Sequence, residues 1–311
     1  MPSDRKFCII LNGRSGDRGE DERRAKLTAL CDAAGIQAQI VIPGRKQPLE
    51  DAATEGLART GADVLVAAGG DGTIAAVATA AHAADVPMGV IPQGTFNYFA
   101  RGLGVPEDAE GAVNTLADGI LRDVPLAEAN GMVFLNNTSL GIYPLILLRR
   151  ESIYARWGRS RLAAYWSVLL TLSGVRRPLK LRLDVDGREI RLRTPLVFVA
   201  NSSFQLERFN LEGVEAVKQG DFAVFTARHT GTMGLVRTAL RLAGRTAHSG
   251  DDFDLVTGRD ITISTGRPRA LVARDGEKSL MHTPIHIRLR DRPLRVIAPN
   301  APLEDTDADR S

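Results

Sequence analysis

Along the first 125 residues, short apolar runs alternate with longer segments whose apolar positions recur at helical spacing, and polar turn residues separate the two kinds. Runs at 7–11, 38–42, 63–68 and 87–91 have the length of buried strands, while 21–34, 49–60 and 73–84 read as helices. Strand and helix in alternation predict an α/β domain with a parallel sheet. From about residue 133 the rhythm changes to period two. Runs at 179–185 and 189–193 flank Asp186-Gly187, a hairpin signal, and further strands are expected at 195–200, 222–227, 260–265, 270–274 and 285–289. This half reads as an antiparallel, β-sandwich-like domain with few helices. The predicted division is 1–130 for the first domain, 131–300 for the second, whose end can return to the first, and 301–311 for an acidic tail too polar to pack.

The ligand crevice of a parallel sheet lies beyond the carboxyl ends of its strands. Three strands of the first domain end in suitable loops: Asn12-Gly13-Arg14-Ser15-Gly16, Gly69-Gly70-Asp71-Gly72 and Pro92-Gln93-Gly94-Thr95-Phe96-Asn97. The second of these leads into a helix near Thr73, whose unpaired N–H groups and positive dipole end attract an anion. Glycine at 69, 70 and 72 is expected to supply positive φ and to let a phosphate approach the backbone. Asp71 beside a polyphosphate calls for a cation between them, so the loop suits a nucleotide carried with Mg2+. Gly-Gly-Asp-Gly is also ordinary turn chemistry. A dinucleotide would further need an acidic residue ending the next strand, and that strand ends in Pro92-Gln93. Gly94, Thr95 and Asn97 could hold phosphate or ribose or simply start the next helix. Asp275-Gly276-Glu277 is by itself a turn, but it could supply the carboxylates that phosphoryl transfer requires.

Composition narrows the class. With 311 residues, 44% hydrophobic and 25% charged, the chain is an ordinary globular protein long enough for two cores. Its two cysteines, Cys8 and Cys31, lie in apolar patterns, lack metal-ligand spacing and are expected in the core of a reduced, cytoplasmic protein. No secretory leader pattern and no apolar run long enough to span a membrane is found. Net charge is +3, and the acids of the last eight residues leave the remaining body more basic than that.

GGDGTI at 69–74, IPQGTFNYFARGLGVP at 91–106 and ARDGE at 273–277 resemble the diacylglycerol kinase catalytic-domain family, which includes bacterial lipid kinases and sphingosine kinases. NGRSG at 12–16 is similar to the family's first nucleotide loop, and FLNNTSLGIYP at 134–144 to its interdomain segment. The resemblance implies an enzyme that binds ATP and magnesium between an α/β domain and a β-sandwich domain and phosphorylates a lipid hydroxyl. It assigns Asn12, Gly70, Asp71, Gly72, Thr73, Gly94, Thr95, Asn97 and Glu277 to the nucleotide, Asp71 and Glu277 also to the metal, and Asp275 to the role of base. An aspartate suffices as base when proton transfer is late and the acceptor already acidified. Two positions depart from the family pattern. Tyr98 stands where an aspartate is common, and Lys218 where an acid helps order a structural magnesium, so its ammonium could replace that ion's charge.

Two segments could bring such an enzyme to an anionic membrane surface. Arg149, Arg150, Arg156, Arg159 and Arg161 precede the apolar stretch 162–172, and Arg237, Arg241 and Arg245 recur at helical spacing within 234–245. Both also read as surface helices with solvated arginines. No nucleic-acid-binding module accompanies the charge. A homodimer is compatible with the sequence, which does not set the oligomeric state. The expectation is a cytoplasmic, peripherally membrane-associated ATP-dependent lipid kinase acting on diacylglycerol or a related lipid. An NAD kinase-like enzyme and a nucleotide- or lipid-binding protein with little turnover are the alternatives.

Overall fold

The computed structural model describes residues 5–12, 17–44, 46–142, 144, 178–229, 231–248 and 250–300. It divides into two compact units: unit 1 runs to Leu126 and resumes at Asp291, and unit 2 is Ala127–Arg290. The predicted tail and the segment holding Arg149 to Arg161 and 162–172 lie outside the described residues.

Unit 1 is built on strands β1 (Lys6–Leu11), β2 (Gln37–Val41), β3 (Val64–Gly69), β4 (Met88–Pro92), β5 (Ile120–Val124) and, from the far end of the chain, β18 (Leu294–Ala298). Their order is β2-β1-β3-β4-β18-β5. The pairs β1–β2, β1–β3, β3–β4 and β4–β18 are parallel, and β5 lies antiparallel to β18. Strands β3 and β4 are buried at every position and β1 at all but its first, which is why they read as unbroken apolar runs. Helices α1 (Asp17–Ala33), α2 (Leu49–Thr60), α3 (Asp71–Ala84), α4 (Tyr98–Gly102) and α5 (Ala109–Asp118) connect them. Of these, α2 packs with α3 and α1 with α5. Asp108 caps α5, its Oδ1 accepting the Gly111 N–H at 2.7 Å. The chain order turns back at β1, which has β2 on one side and β3 on the other, so the β1/β3 boundary is the switch point where such sheets bind ligands.

Unit 2 contains two antiparallel sheets. One has the order β10 (Arg188–Thr194), β9 (Leu179–Val185), β14 (Ile261–Thr265), β17 (Ile285–Leu289), β6 (Ala127–Ala129), β7 (Met132–Phe134). The other runs β13 (Phe253–Gly258), β12 (Phe222–Ala227), β11 (Leu196–Ala200), β8 (Asn137–Gly141), β15 (Arg269–Arg274), β16 (Glu277–His282). Phe134, Leu140, Val197, Val199, Phe222, Val224, Ile261 and Ile263 come from both sheets into one core, with the Phe134 and Phe222 rings 6.1 Å apart. The alternate positions Ala223, Phe225 and Ala227 of β12 join a second core with Leu206 and Leu235, which belong to helices α6 (Ser203–Arg208) and α8 (Thr232–Ala243). Helix α7 (Val214–Lys218) packs against α6.

Periodicity alone missed several elements. Strands β6 and β7 have three residues each, too short to show a period. Strand β5 is a half-exposed edge, and α4 with α5 follows a loop of turn residues. Helix α1 begins at Asp17 rather than 21, because its first turns are polar and carry no apolar stripe.

Candidate active site

In unit 1 the glycine loop joins β3 to α3. Gly70 is the N-cap of α3 and Asp71 its first residue, so the helix starts two residues before Thr73 and the aspartate sits in its first turn. None of Gly69, Gly70 and Gly72 has positive φ, which corrects the expected reason for them. The reason is close approach. A Cβ on Gly69 would stand 2.5 Å from Thr73 Oγ1, and one on Gly94 would stand 2.7 Å from the Gly70 Cα. The loops after β3 and β4 therefore touch backbone to backbone through two glycines, and Gln93 N–H donates to the Gly69 carbonyl at 2.9 Å.

Asn12, at the end of β1, is tied to the same corner: its N–H donates to the Ala68 carbonyl at 3.0 Å and its Nδ2 to Thr73 Oγ1 at 2.8 Å. Thr73 is buried, so its hydroxyl serves that link across the switch point. Asn97 is the N-cap residue of α4 in a left-handed conformation, but its side chain makes no capping hydrogen bond. Its Oδ1 accepts the Gly94 N–H at 2.9 Å, while Nδ2 donates to the Gly94 carbonyl at 3.0 Å and to Glu107 Oε1 at 3.1 Å. The amide thus shapes the second loop from within, and Glu107 is a supporting residue with no signature in the sequence. Thr95 is exposed at the loop's tip. Next to it Phe96 stacks on Tyr98, with ring centroids 5.5 Å apart and planes 5° apart.

Asp71 is the least satisfied group of this corner. Burial raises its pKa above the ordinary carboxylate value, and the N–H groups of Phe99, Asn97 and Tyr98, at the start of α4, oppose that rise. Its Oδ1 is buried without a hydrogen-bond partner. A carboxylate oxygen buried and unpartnered suits a cation, which recovers the lost solvation. Among the described residues no group of three His, Cys, Asp or Glu side chains could hold a metal. One buried carboxylate oxygen could serve only an ion that takes most of its ligands from water or from a bound phosphate.

In unit 2, Asp275 and Gly276 form the two-residue turn between β15 and β16, both with positive φ, as an Asp-Gly hairpin turn requires. The Asp275 carboxylate is held by three backbone donors: Leu135 N–H to Oδ2 at 2.6 Å, and Asn136 and Asn137 N–H to Oδ1 at 2.7 and 3.1 Å. In return Asp275 N–H donates to the Asn137 carbonyl at 3.0 Å. The Leu135–Asn137 backbone thus positions Asp275, a role visible only when residues far apart in the chain meet. Beside it lies a buried polar set, in which Asn137 Nδ2 donates to Gln205 Oε1 at 3.0 Å. Glu277 is exposed at the first position of β16, across from Arg274. Lys218 sits 2.9 Å from Glu207, tying α7 to α6 by a direct ion pair.

The candidate membrane segment within 234–245 changes in the folded chain. Helix α8 ends at Ala243, so Arg245 lies past it with left-handed φ. Arg241 is bound at 2.9 Å to the fully buried Asp252. Among the described residues no helix is long and apolar enough to cross a membrane.

Residues 6–129 match the diacylglycerol kinase catalytic domain. Over 96% of its length the chain is 28% identical to the diacylglycerol kinase of Bacillus subtilis strain 168, covering 98% of that protein. It is 36% identical over 141 residues to a probable lipid kinase YegS-like protein of Pseudomonas fluorescens, covering 45% of this chain and 46% of that one. The chain thus spans less than half the length of some relatives it matches. A diacylglycerol kinase structure from Bacillus anthracis superposes with a TM-score of 0.73 at 22% identity, over 96% of this chain and 99% of that one, and shows the same fold. Residues 6–129, most of unit 1, are thus similar to the diacylglycerol kinase catalytic domain.

Proposed function

We propose that this protein transfers the γ-phosphoryl group of ATP to a hydroxyl of diacylglycerol or a related lipid, at a membrane surface. The observation that carries the reading is the corner of unit 1, where two glycine loops meet at Gly70 and Gly94 around the unpartnered Asp71 oxygen. Bare backbone and the α3 N-terminus receive phosphate oxygens there. Asp71 would hold a magnesium ion, which would supply charge to offset that of the phosphates.

The remaining chemistry falls to unit 2. The lipid hydroxyl oxygen bonds to the γ-phosphorus as the bond to the ADP oxygen breaks, and the hydroxyl proton passes to Asp275. Three backbone donors fix that carboxylate, so its contribution is a base already in position.

The test uses purified protein, labelled ATP with magnesium, and diacylglycerol, sphingoid bases, phosphatidylglycerol and NAD as acceptors. Label in a lipid, reduced on the order of 10²- to 10⁴-fold in Asp275→Asn, is the expected result. Label in NAD alone, or nucleotide binding without transfer to any acceptor, would sink the proposal.

A further inference from the structure

The hairpin β9–β10 carries its charge in an unfavourable arrangement. Its register places Lys180 opposite Arg193 and Arg182 opposite Arg191. Cross-strand partners point to one face of a sheet, so two like-charged pairs stand side by side, which destabilises a sheet. All four side chains are on the solvent side, since Leu181 and Leu183, the alternate residues of β9, are buried in the unit 2 core. Strand β14 continues the surface, with Ser264 registered against Arg182.

The surface is concave as well as basic. An open basin of about 510 Å³ is lined by Lys180, Arg182, Arg191 and Arg193 together with Leu181, Leu192, Ser264, Thr265 and Gly266, and among the described residues no acid lines it. Glu189, the nearest acid on the hairpin, lies 2.8 Å from Arg191 and 3.5 Å from Arg182, so one carboxylate is shared by two guanidiniums. Asp184 turns to its own hairpin, accepting the Gly187 N–H at 3.0 Å. The cations thus outnumber the acids that neutralise them, in a depression with hydroxyl-bearing residues on its rim. A bound anion removes the repulsion, and guanidinium forks suit the oxygens of a phosphate.

We propose that this basin is a phosphate-binding site, separate from the glycine loops, that engages the headgroups of anionic phospholipids and so holds the enzyme at its substrate's surface. The choice of a lipid headgroup over a free phosphate rests on the lipid-kinase reading; the anion site itself does not.

Sedimentation with phosphatidylcholine vesicles, with and without phosphatidylglycerol, tests it. The Lys180→Gln/Arg193→Gln double variant is expected to bind the anionic vesicles on the order of ten- to thirtyfold more weakly than the unaltered protein. The charge-conserving Lys180→Arg/Arg193→Lys protein should bind as before, which separates charge from folding. If only pyrophosphate binds, shown by a rise in Tm that the Gln variant loses, the site stands and its ligand is a free phosphate. Equal vesicle and pyrophosphate binding by unaltered and Gln proteins overturns the proposal. So does loss of vesicle binding in Arg237→Gln, on α8, with none in the hairpin variant. Transfer to a soluble short-chain acceptor without vesicles should be unchanged in the hairpin variants. If no protein shows transfer while vesicle binding still depends on the hairpin, the kinase reading fails and the site remains.

Discussion

Burial pushes the Asp71 carboxyl above its ordinary range, and the N–H groups of Phe99, Asn97 and Tyr98 only partly oppose this. A carboxyl whose pKa is higher folded than unfolded binds its proton more tightly in the folded state. The stability tied to that proton is present below the unfolded value and lost as pH rises through the folded one. Without ligand, the protein should therefore lose stability as pH climbs out of the ordinary carboxylate range, and Asp71→Asn should remove that loss. At neutral pH the variant should melt above the unaltered protein in a thermal scan, while the proposed phosphoryl transfer should fall on the order of a hundredfold or more. A lower Tm would show that the buried charge is not a burden. The glycines give a graded test of the loop contact. Gly94→Ala drives a Cβ to 2.7 Å from the Gly70 Cα, backbone against backbone, whereas Gly70→Ala meets the Gly94 Cα at 3.2 Å. The first should cost about 1–3 kcal/mol in urea unfolding and the second less. That Gly70 and Gly94 matter was legible in the sequence. That they touch was not, because contact between residues 70 and 94 depends on β3 and β4 being neighbours.

Among the elements, α8 shows how a surface feature of the sequence changes on folding. Read as a strip, Arg237, Arg241 and Arg245 form one basic face, but Asp252, brought back by the turn after α8, accepts from Thr238 Oγ1 at 3.0 Å and Arg241 Nη1 at 2.9 Å. Asp252 is fully buried, so Asp252→Ala would leave a half-buried guanidinium without its main partner and should lower stability by about 2–3 kcal/mol in denaturant unfolding. The link between α6 and α7 is of the opposite kind. Lys218 and Glu207 are both about half exposed, and such a solvent-screened pair contributes little to stability. Lys218→Ala should shift the urea midpoint slightly; a variant indistinguishable in both stability and activity would show that the ammonium stands in for nothing.

At the scale of the whole molecule, the last described strand decides whether unit 1 exists. Strand β18 lies between β4 and β5, with Leu294, Val296, Ile297 and Ala298 buried, and Arg292 and Arg295 both reach Asp85 at the end of α3. A protein ending at residue 290 would leave β4 with an open edge and β5 unpaired, so unit 1 should lose its cooperative transition in circular dichroism melting. Retention of that transition would show the sheet to be complete without β18. The cysteines report on the same unit. Both are buried and free, and burial with the neighbouring Asp32 raises the Cys31 thiol to about 11. Reaction with a disulfide reagent should be slow in the native protein and fast in denaturant.

The sequence by itself determined what depends on neighbours along the chain. The apolar runs that became β1, β3 and β4 follow from burial on both faces. The hairpin at Asp186-Gly187 and the turn at Asp275-Gly276 follow from left-handed backbone that Asp-Gly tolerates. The glycine loop's place at the start of α3 follows from the turn residues it holds. Tertiary structure alone decided the rest, since those contacts join residues with no local relation. The Leu135–Asn137 backbone clasps a carboxylate 138 or more positions away, and an arginine strip loses one member to a buried aspartate. Two charged strands pair so that like faces like. The return of the chain's end to the first domain was an option the sequence left open; that it comes back as strand β18, between β4 and β5, was decided by the edge beside β4.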